Sequence, residues 1–149
     1  MIEKIVQFMR LRELNLRIHT DGGSRGNPGP SGIGVMMTDA DTGDVVARIK
    51  EYIGVTTNNQ AEYRAVIRGL TEALTLQPAS IMVVADSELL VRQLTGVYRV
   101  KNPDIAKRFL EIRNLETKLG VPVRYRHVPR EQNKDADALA NEAMDEGAK

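Results

Sequence analysis

The sequence predicts an α/β architecture: one mixed, five-stranded sheet with helices on both faces. Three observations predict it. Residues 14 to 53 hold three stretches with strand patterning separated only by short turn-forming segments, as in an antiparallel meander. Beyond residue 56, helical periodicity alternates with two further strand-like runs, and a strand reached through a helix usually lies parallel to its neighbour. The run Ile81-Met82-Val83-Val84-Ala85 is wholly apolar, which fits a central strand covered on both sides.

The elements follow in order. Residues 1 to 13 form an extension of unknown role, in which Ile2, Ile5, Val6 and Met9 have the spacing of a short amphipathic helix. Leu14, Leu16 and Ile18 alternate with Asn15, Arg17 and His19, so a half-buried strand runs into Asp21, expected at its end. The following loop is dense in Gly22, Gly23, Gly26, Gly29 and Gly32, with Pro28 and Pro30 between them. Glycine permits positive φ or close approach of a ligand, and proline stiffens the same path, so the loop suits a polymer backbone; an ordinary hairpin connection is the alternative. Gly32 to Thr38 and Val45 to Ile53 read as the second and third strands around the turn Asp39 to Asp44.

Thr56-Thr57-Asn58-Asn59 supplies capping types for a helix running to about Leu76, with Ala61, Ala65, Leu70, Ala73 and Leu74 toward the sheet and Pro78 as its stop. Asp86 stands at the carboxyl edge of the fourth strand. A short helix from Ser87 to Leu94 precedes a longer one from Pro103 to Leu119, which ends at Gly120. Val121 to Val128 is the fifth strand. A last helix runs from about Asn133 to Met144, with Ala136, Leu139, Ala140 and Ala143 inward.

Composition narrows the chemistry. The 149 residues are 42% hydrophobic and 28% charged, as in one globular domain, and no apolar run approaches the roughly 18 residues of a membrane span. No export signal is legible at the N-terminus, so a cytoplasmic location is expected. The absence of cysteine excludes disulfides, thiolate metal sites and cysteine nucleophiles and leaves carboxylate, imidazole and hydroxyl chemistry. Net charge is only +1, yet residues 98 to 134 carry 10 basic against 4 acidic side chains and residues 135 to 149 carry 1 against 5. A basic segment beside an acidic tail fits phosphate contacts, or equally a solvated helix.

Ligands of open α/β sheets collect at the carboxyl ends of central strands, where strand order changes direction. Asp21 and Asp86 belong there, Glu62 lies near the start of the long helix and Asp137 near the start of the last, so four carboxylates can converge. Such oxygen donors suit Mg2+ or Mn2+, and two such ions can activate a water and stabilise the leaving oxygen of a phosphodiester. Each acid also has a purely structural reading. Glu62 is three residues past Asn59 and could close a capping box; Asp86 could cap the helix at Ser87; Asp137, or equally Asp135, could complement a helix dipole.

Four ordered motifs carry a resemblance: Thr20-Asp21-Gly22-Gly23-Ser24 with Gly26-Asn27-Pro28-Gly29-Pro30, Thr56-Thr57-Asn58-Asn59-Gln60-Ala61-Glu62, Ala85-Asp86-Ser87, and His127 with Asn133 to Asp137 and Leu139-Ala140. Across residues 14 to 145 the chain closely resembles the type 1 ribonuclease H family, with 146 to 149 left as a tail. The resemblance implies the ribonuclease H-like fold and endonucleolytic hydrolysis of the RNA strand of an RNA/DNA hybrid, leaving 5'-phosphate products, with two Mg2+ or Mn2+ ions. Asp21, Glu62, Asp86 and Asp137 match the metal-binding acids. Asn27, Thr57 and Asn58 match positions that contact the nucleic-acid backbone or its 2'-hydroxyls, and Ser87 and Glu88 lie beside them. The hybrid is the implied partner of a monomer that touches no membrane.

Three departures stand out. In place of the family's Gly-His-x-Gly-His loop the chain has Arg126-His127-Val128-Pro129-Arg130, so either His127 or Arg130 would assist catalysis. Glu88 replaces a common glutamine, and its charge near the metals or phosphates could weaken binding or supply an outer-shell ligand. The lysine-rich protrusion is missing, which predicts looser hybrid binding with Arg99, Lys101, Lys107 and Arg108 as partial substitutes. A same-fold nuclease for double-stranded RNA or junctions, and a non-catalytic hybrid-binding module, are the alternatives.

Overall fold

The computed structural model describes residues 13–147; the proposed helix within residues 1 to 13 falls almost wholly outside them. The chain forms β1 (Asn15–Ser24), β2 (Gly29–Asp39), β3 (Val45–Thr56), α1 (Asn58–Leu76), β4 (Ser80–Ala85), α2 (Glu88–Leu94), α3 (Pro103–Leu119), β5 (Val123–His127), a 3-10 turn (Arg130–Gln132) and α4 (Lys134–Gly147). The five strands lie in the order β3-β2-β1-β4-β5. β1, β2 and β3 pair antiparallel, whereas β1, β4 and β5 run parallel. The mixed sheet is therefore as expected, with its change of direction between β1 and β4.

Local signals set the helix ends. Thr57 caps α1 by accepting the Gln60 N–H at 3.2 Å, Ser87 caps α2 by accepting the Leu90 N–H at 3.2 Å, and Asn102 caps α3 ahead of Pro103. Gly120 closes α3 at φ 63. Strand ends were less legible. β1 continues through Ser24, so Asp21 lies within the strand, opposite Gly34, and only four residues, 25 to 28, connect β1 to β2 as a hairpin. β5 begins two residues later than expected, and α4 runs through the supposed tail to Gly147.

The sheet separates two packing layers. On one face Leu16, Ile18, Val35, Met37, Ile81 and Val83 meet Tyr63, Val66 and Leu70 of α1 together with α2 and α3. Tyr63 and Val66 are buried here as well as the small residues expected inward. On the other face α4 alone lies across β1, β2 and β3.

The glycines of the first hairpin serve these layers rather than an open loop. Among those between residues 22 and 32, only Gly26 takes a positive φ. A Cβ at Gly22 would stand 2.3 Å from the Ala61 carbonyl carbon and 2.6 Å from the Glu62 nitrogen; one at Gly34 would stand 2.1 Å from the Ala136 carbonyl oxygen. Both contacts are shorter than any real Cβ makes, so α1 and α4 reach the sheet only because these positions lack a side chain.

Candidate active site

The close approaches at Gly22 and Gly34 decide where the acids meet. Parallel pairing of β1 with β4 ends at Thr20↔Ala85, so Asp21 and Asp86 each stand one residue past the same rung. From there β1 continues with its β4-facing edge uncovered, leaving a gap through which side chains from both faces reach one another. α1, pressed on Gly22, presents Glu62 from one face; α4, pressed on Gly34, presents Asp137 from the other.

Electrostatics register this convergence. Burial, then the charge of Asp86, then hydrogen bonding and charge from Asp137, and finally the charge of Glu62 push the Asp21 carboxyl up from 3.8 to about 8. Glu62 is also raised, first by burial and then by Asp86, against a hydrogen bond from Ser87 that favours its charged form. All four acids are partly buried. They face one space without being drawn into a closed ligand shell: among the described residues, no three acids or histidines already stand in metal-holding geometry.

The capping readings of Glu62 and Asp86 fail locally, whereas Asp137 does stand in the first turn of α4. α1 is capped by Thr57, which puts Gln60, not Glu62, at the capping-box position. α2 is capped by Ser87, which leaves Asp86 free of that task. Asp137 is one turn into α4, its N–H bonded to the Asn133 carbonyl at 3.1 Å, while Asp135 is exposed beside His19.

Asn133 is a residue whose role the sequence did not reveal. It is 1% exposed, and its amide donates to the Thr20 carbonyl at 2.9 Å and toward Asp86 Oδ2 at 3.5 Å. One side chain thus ties β1, Asp86 and the start of α4 together. Its Oδ1 has no partner among the described residues. The residue was visible only as part of the last motif, because its partners lie 113 and 47 positions away.

Around the acids, Asn27 Oδ1 accepts the Asn58 N–H at 3.1 Å, and Asn58 Oδ1 accepts the Ser24 N–H at 2.7 Å. The two asparagines lock the hairpin to the start of α1, and both keep their amide N–H groups as exposed donors. A groove of about 480 Å³ opens between the starts of α1 and α3, lined by Thr57, Gln60, Asn102, Lys107 and Arg108. Within it Arg108 is tied to Gln60 and Glu111 at 3.0 Å each. Arg99 and Lys101 are exposed before α3, and the chain passes from α2 to α3 through residues 95 to 102 with no added helix. Glu88 lies on the exposed side of α2, paired with Arg92 at 2.7 Å, and Arg92 in turn covers the Tyr98 ring. Glu88 thus has a cation beside it within α2. His127 ends β5 level with Ala85, and Arg130 opens the 3-10 turn after Pro129; both are exposed, and neither is among the groups that perturb Asp21 or Glu62. Among the described residues, no helix is long and apolar enough to cross a membrane.

Comparison with known proteins bears on the family and the fold. The Reverse transcriptase-like family matches residues 19–143. A bifunctional protein of Mycobacterium tuberculosis is 45% identical over 131 residues, covering 88% of this chain but only 36% of its own length. The chain thus spans about a third of that relative. The ribonuclease H1 structure from Halobacterium salinarum is 41% identical with a TM-score of 0.84, covering 89% of this chain and 98% of that one. The structure of LC11-RNase H1 in complex with an RNA/DNA hybrid is 42% identical with a TM-score of 0.86, covering 90% and 99%. By motif, fold and identity, this chain belongs to the type 1 ribonuclease H family, in a form without the basic protrusion.

Proposed function

We propose that the protein is a metal-dependent endoribonuclease that hydrolyses the RNA strand of RNA/DNA hybrids. The observation that carries the reading is the meeting of Asp21, Glu62, Asp86 and Asp137 in the gap beside the end of β4. Oxygen donors alone suit Mg2+ or Mn2+, and an aspartate held at about 8 by burial and neighbouring carboxylates marks a site short of positive charge, so the residues fit such ions. Two ions held by the four acids would supply an activated water and stabilise the leaving oxygen. Asp21, within β1, and Asp86, one residue past the end of β4, would be the firmest ligands; Glu62 is oriented by the Ser87 hydroxyl, and Asp137 approaches from the opposite face.

The remaining residues bind and orient. Asn27 and Asn58 offer their free amide N–H groups to 2'-hydroxyls or phosphates, which distinguishes RNA from DNA. Thr57 and Lys107 border the groove that would take a phosphate of the hybrid, and Arg99 and Lys101 extend the positive edge. Ser87 and Glu88 are assigned to α2 itself, as cap and as the partner of Arg92, rather than to direct contact. His127 or Arg130 would meet the leaving strand from the β5 side. We assign the activity to residues 14 to 145 acting as a monomer.

The test is cleavage of an end-labelled hybrid beside duplex RNA, with Mg2+, Mn2+ or chelator, by wild type and Asp86→Asn. Metal-dependent cuts in the hybrid's RNA that vanish in the variant are expected. Tight hybrid binding without any cut would overturn the reading in favour of a binding module.

A further inference from the structure

Among the described residues α4 covers β1, β2 and β3 but makes no comparable packing with β4 or β5, so that half of the sheet face lies beyond its cover, although Val84 there is itself buried. Side chains paired in parallel register point the same way, so Arg17, Met82 and Arg124 form one row there and His19, Val84 and Arg126 the next. Arg17, Arg124 and Arg126 are all exposed. By strand geometry Arg124 and Arg126 are about 7 Å apart at Cα and Arg17 lies about 10 Å across from Arg124. Met82 floors the groove between them, about 340 Å³, which Ala40 and Pro122 also line.

These arginines differ from others in the chain. Arg25, Arg68, Arg92, Arg108 and Arg113 each hold a carboxylate. Among the described residues Arg17, Arg124 and Arg126 hold none, although like charges this close repel. The nearest acids are engaged elsewhere. Asp39 Oδ1 accepts the Asp41 and Thr42 N–H groups, Asp41 Oδ2 accepts the Asn15 amide, and Asp135 stands beside His19. No Phe, Tyr or Trp lies in either row and the one imidazole, His19, is half-buried, so contact would be mainly with phosphates, independent of sequence. The row also leads to the acids: Arg17, His19 and Asp21 share one face of β1, with Arg17 about 13 Å from Asp21.

We propose that this face beyond α4 is a second nucleic-acid contact, in which Arg17, Arg124 and Arg126 hold the phosphates of a single strand running off the end of the hybrid. The proposal rests on the hybrid-cleaving reading for its choice of polyanion. The site would favour hybrids with a single-stranded tail over blunt ones.

The test measures salt-dependent binding by fluorescence anisotropy in the Asp86→Asn background, which prevents cutting, with blunt hybrid and with hybrid carrying an RNA or DNA tail. Loss of three single-strand phosphate contacts in the triple variant R17A/R124A/R126A should lower the log–log salt slope for the tailed hybrid by about 2 and leave the blunt hybrid unchanged. A triple lysine variant should keep the slope, which separates charge from structure. Equal slopes for wild type and triple alanine on the tailed hybrid, with the melting temperature preserved, would overturn the proposal. So would arginine-dependent binding of poly-glutamate with no change on the tailed hybrid, which would reassign the face to acidic peptides. A protein that neither binds nor cuts blunt hybrid would refute the hybrid reading instead, so the two failures are distinct.

Discussion

Two regions of the sheet each crowd like charges, and they differ in what relieves the crowding. In the gap beside the end of β4, four partly buried carboxylates have little water to screen them. Asp21 answers by holding its proton up to about pH 8. Two rungs back, three arginines stand in solvent, where water and salt screen them at little cost to the fold. A buried cluster stores its repulsion in the protein and releases it when a cation binds. An exposed cluster stores little, and its effect appears only in the salt dependence of what it holds.

Substitutions can break this contrast, starting with the acids. Asp86→Asn or Glu62→Gln should reduce hybrid cleavage by at least about a thousand-fold, as expected when one member of a cooperating catalytic set is lost, with the circular-dichroism spectrum unchanged. Normal turnover in either variant would remove that acid from the site. The buried cluster should also set the pH response of the metal-free protein. Asp21 is raised in the folded state, so the native protein binds the extra proton between about pH 4 and 8, and stability falls as pH rises through that window. Thermal melts in chelator should therefore show a declining melting temperature from pH 5 to 8, flattened in Asp21→Asn, and a variant still as pH-dependent as wild type would contradict the assigned cause.

Geometry around the cluster can be tested next. Gly34→Ala would place a methyl 2.1 Å from the Ala136 carbonyl oxygen, so α4 must shift; about 1–3 kcal/mol of stability should be lost, with cleavage falling as Asp137 moves. Asn133→Ala deletes the buried link between Thr20 and Asp86 and should cost about 1–3 kcal/mol by urea unfolding. A turnover number that falls while KM holds would mark it as a positioning residue, whereas a pure stability loss would leave both constants unchanged. The smallest effect belongs to the exposed cluster: Arg124→Ala should change stability by no more than about 0.5 kcal/mol. A larger loss would mean that the arginines support the fold.

How much of this was legible depended on how local each signal is. α3 was placed from Pro103 to Leu119 because Asn102, Pro103 and Gly120 act on their own backbone. Asp21, Glu62 and Asp86 were singled out because motif and position coincide. Local pattern left Asp137 and Asp135 equivalent and only the resemblance chose Asp137; both lie in the first turn of α4, and its approach over Gly34 turns Asp137 toward Asp21. The hairpin glycines were taken as loop freedom because a sequence does not show what presses on a strand. Likewise the pairing of Glu88 with Arg92, one turn on, was not read from the sequence.

By itself, then, the sequence determined the class of fold, the order of its elements and the set of acids, because periodicity, capping and turn chemistry act over a few residues. The tertiary structure decided where β4 stops beside β1, which faces meet in the resulting gap, how Asn133 joins them, and which arginines, among the described residues, stand without a carboxylate on the half of the sheet beyond α4. Those depend on strand register and on the distance between backbones far apart in the chain, and no local pattern encodes either.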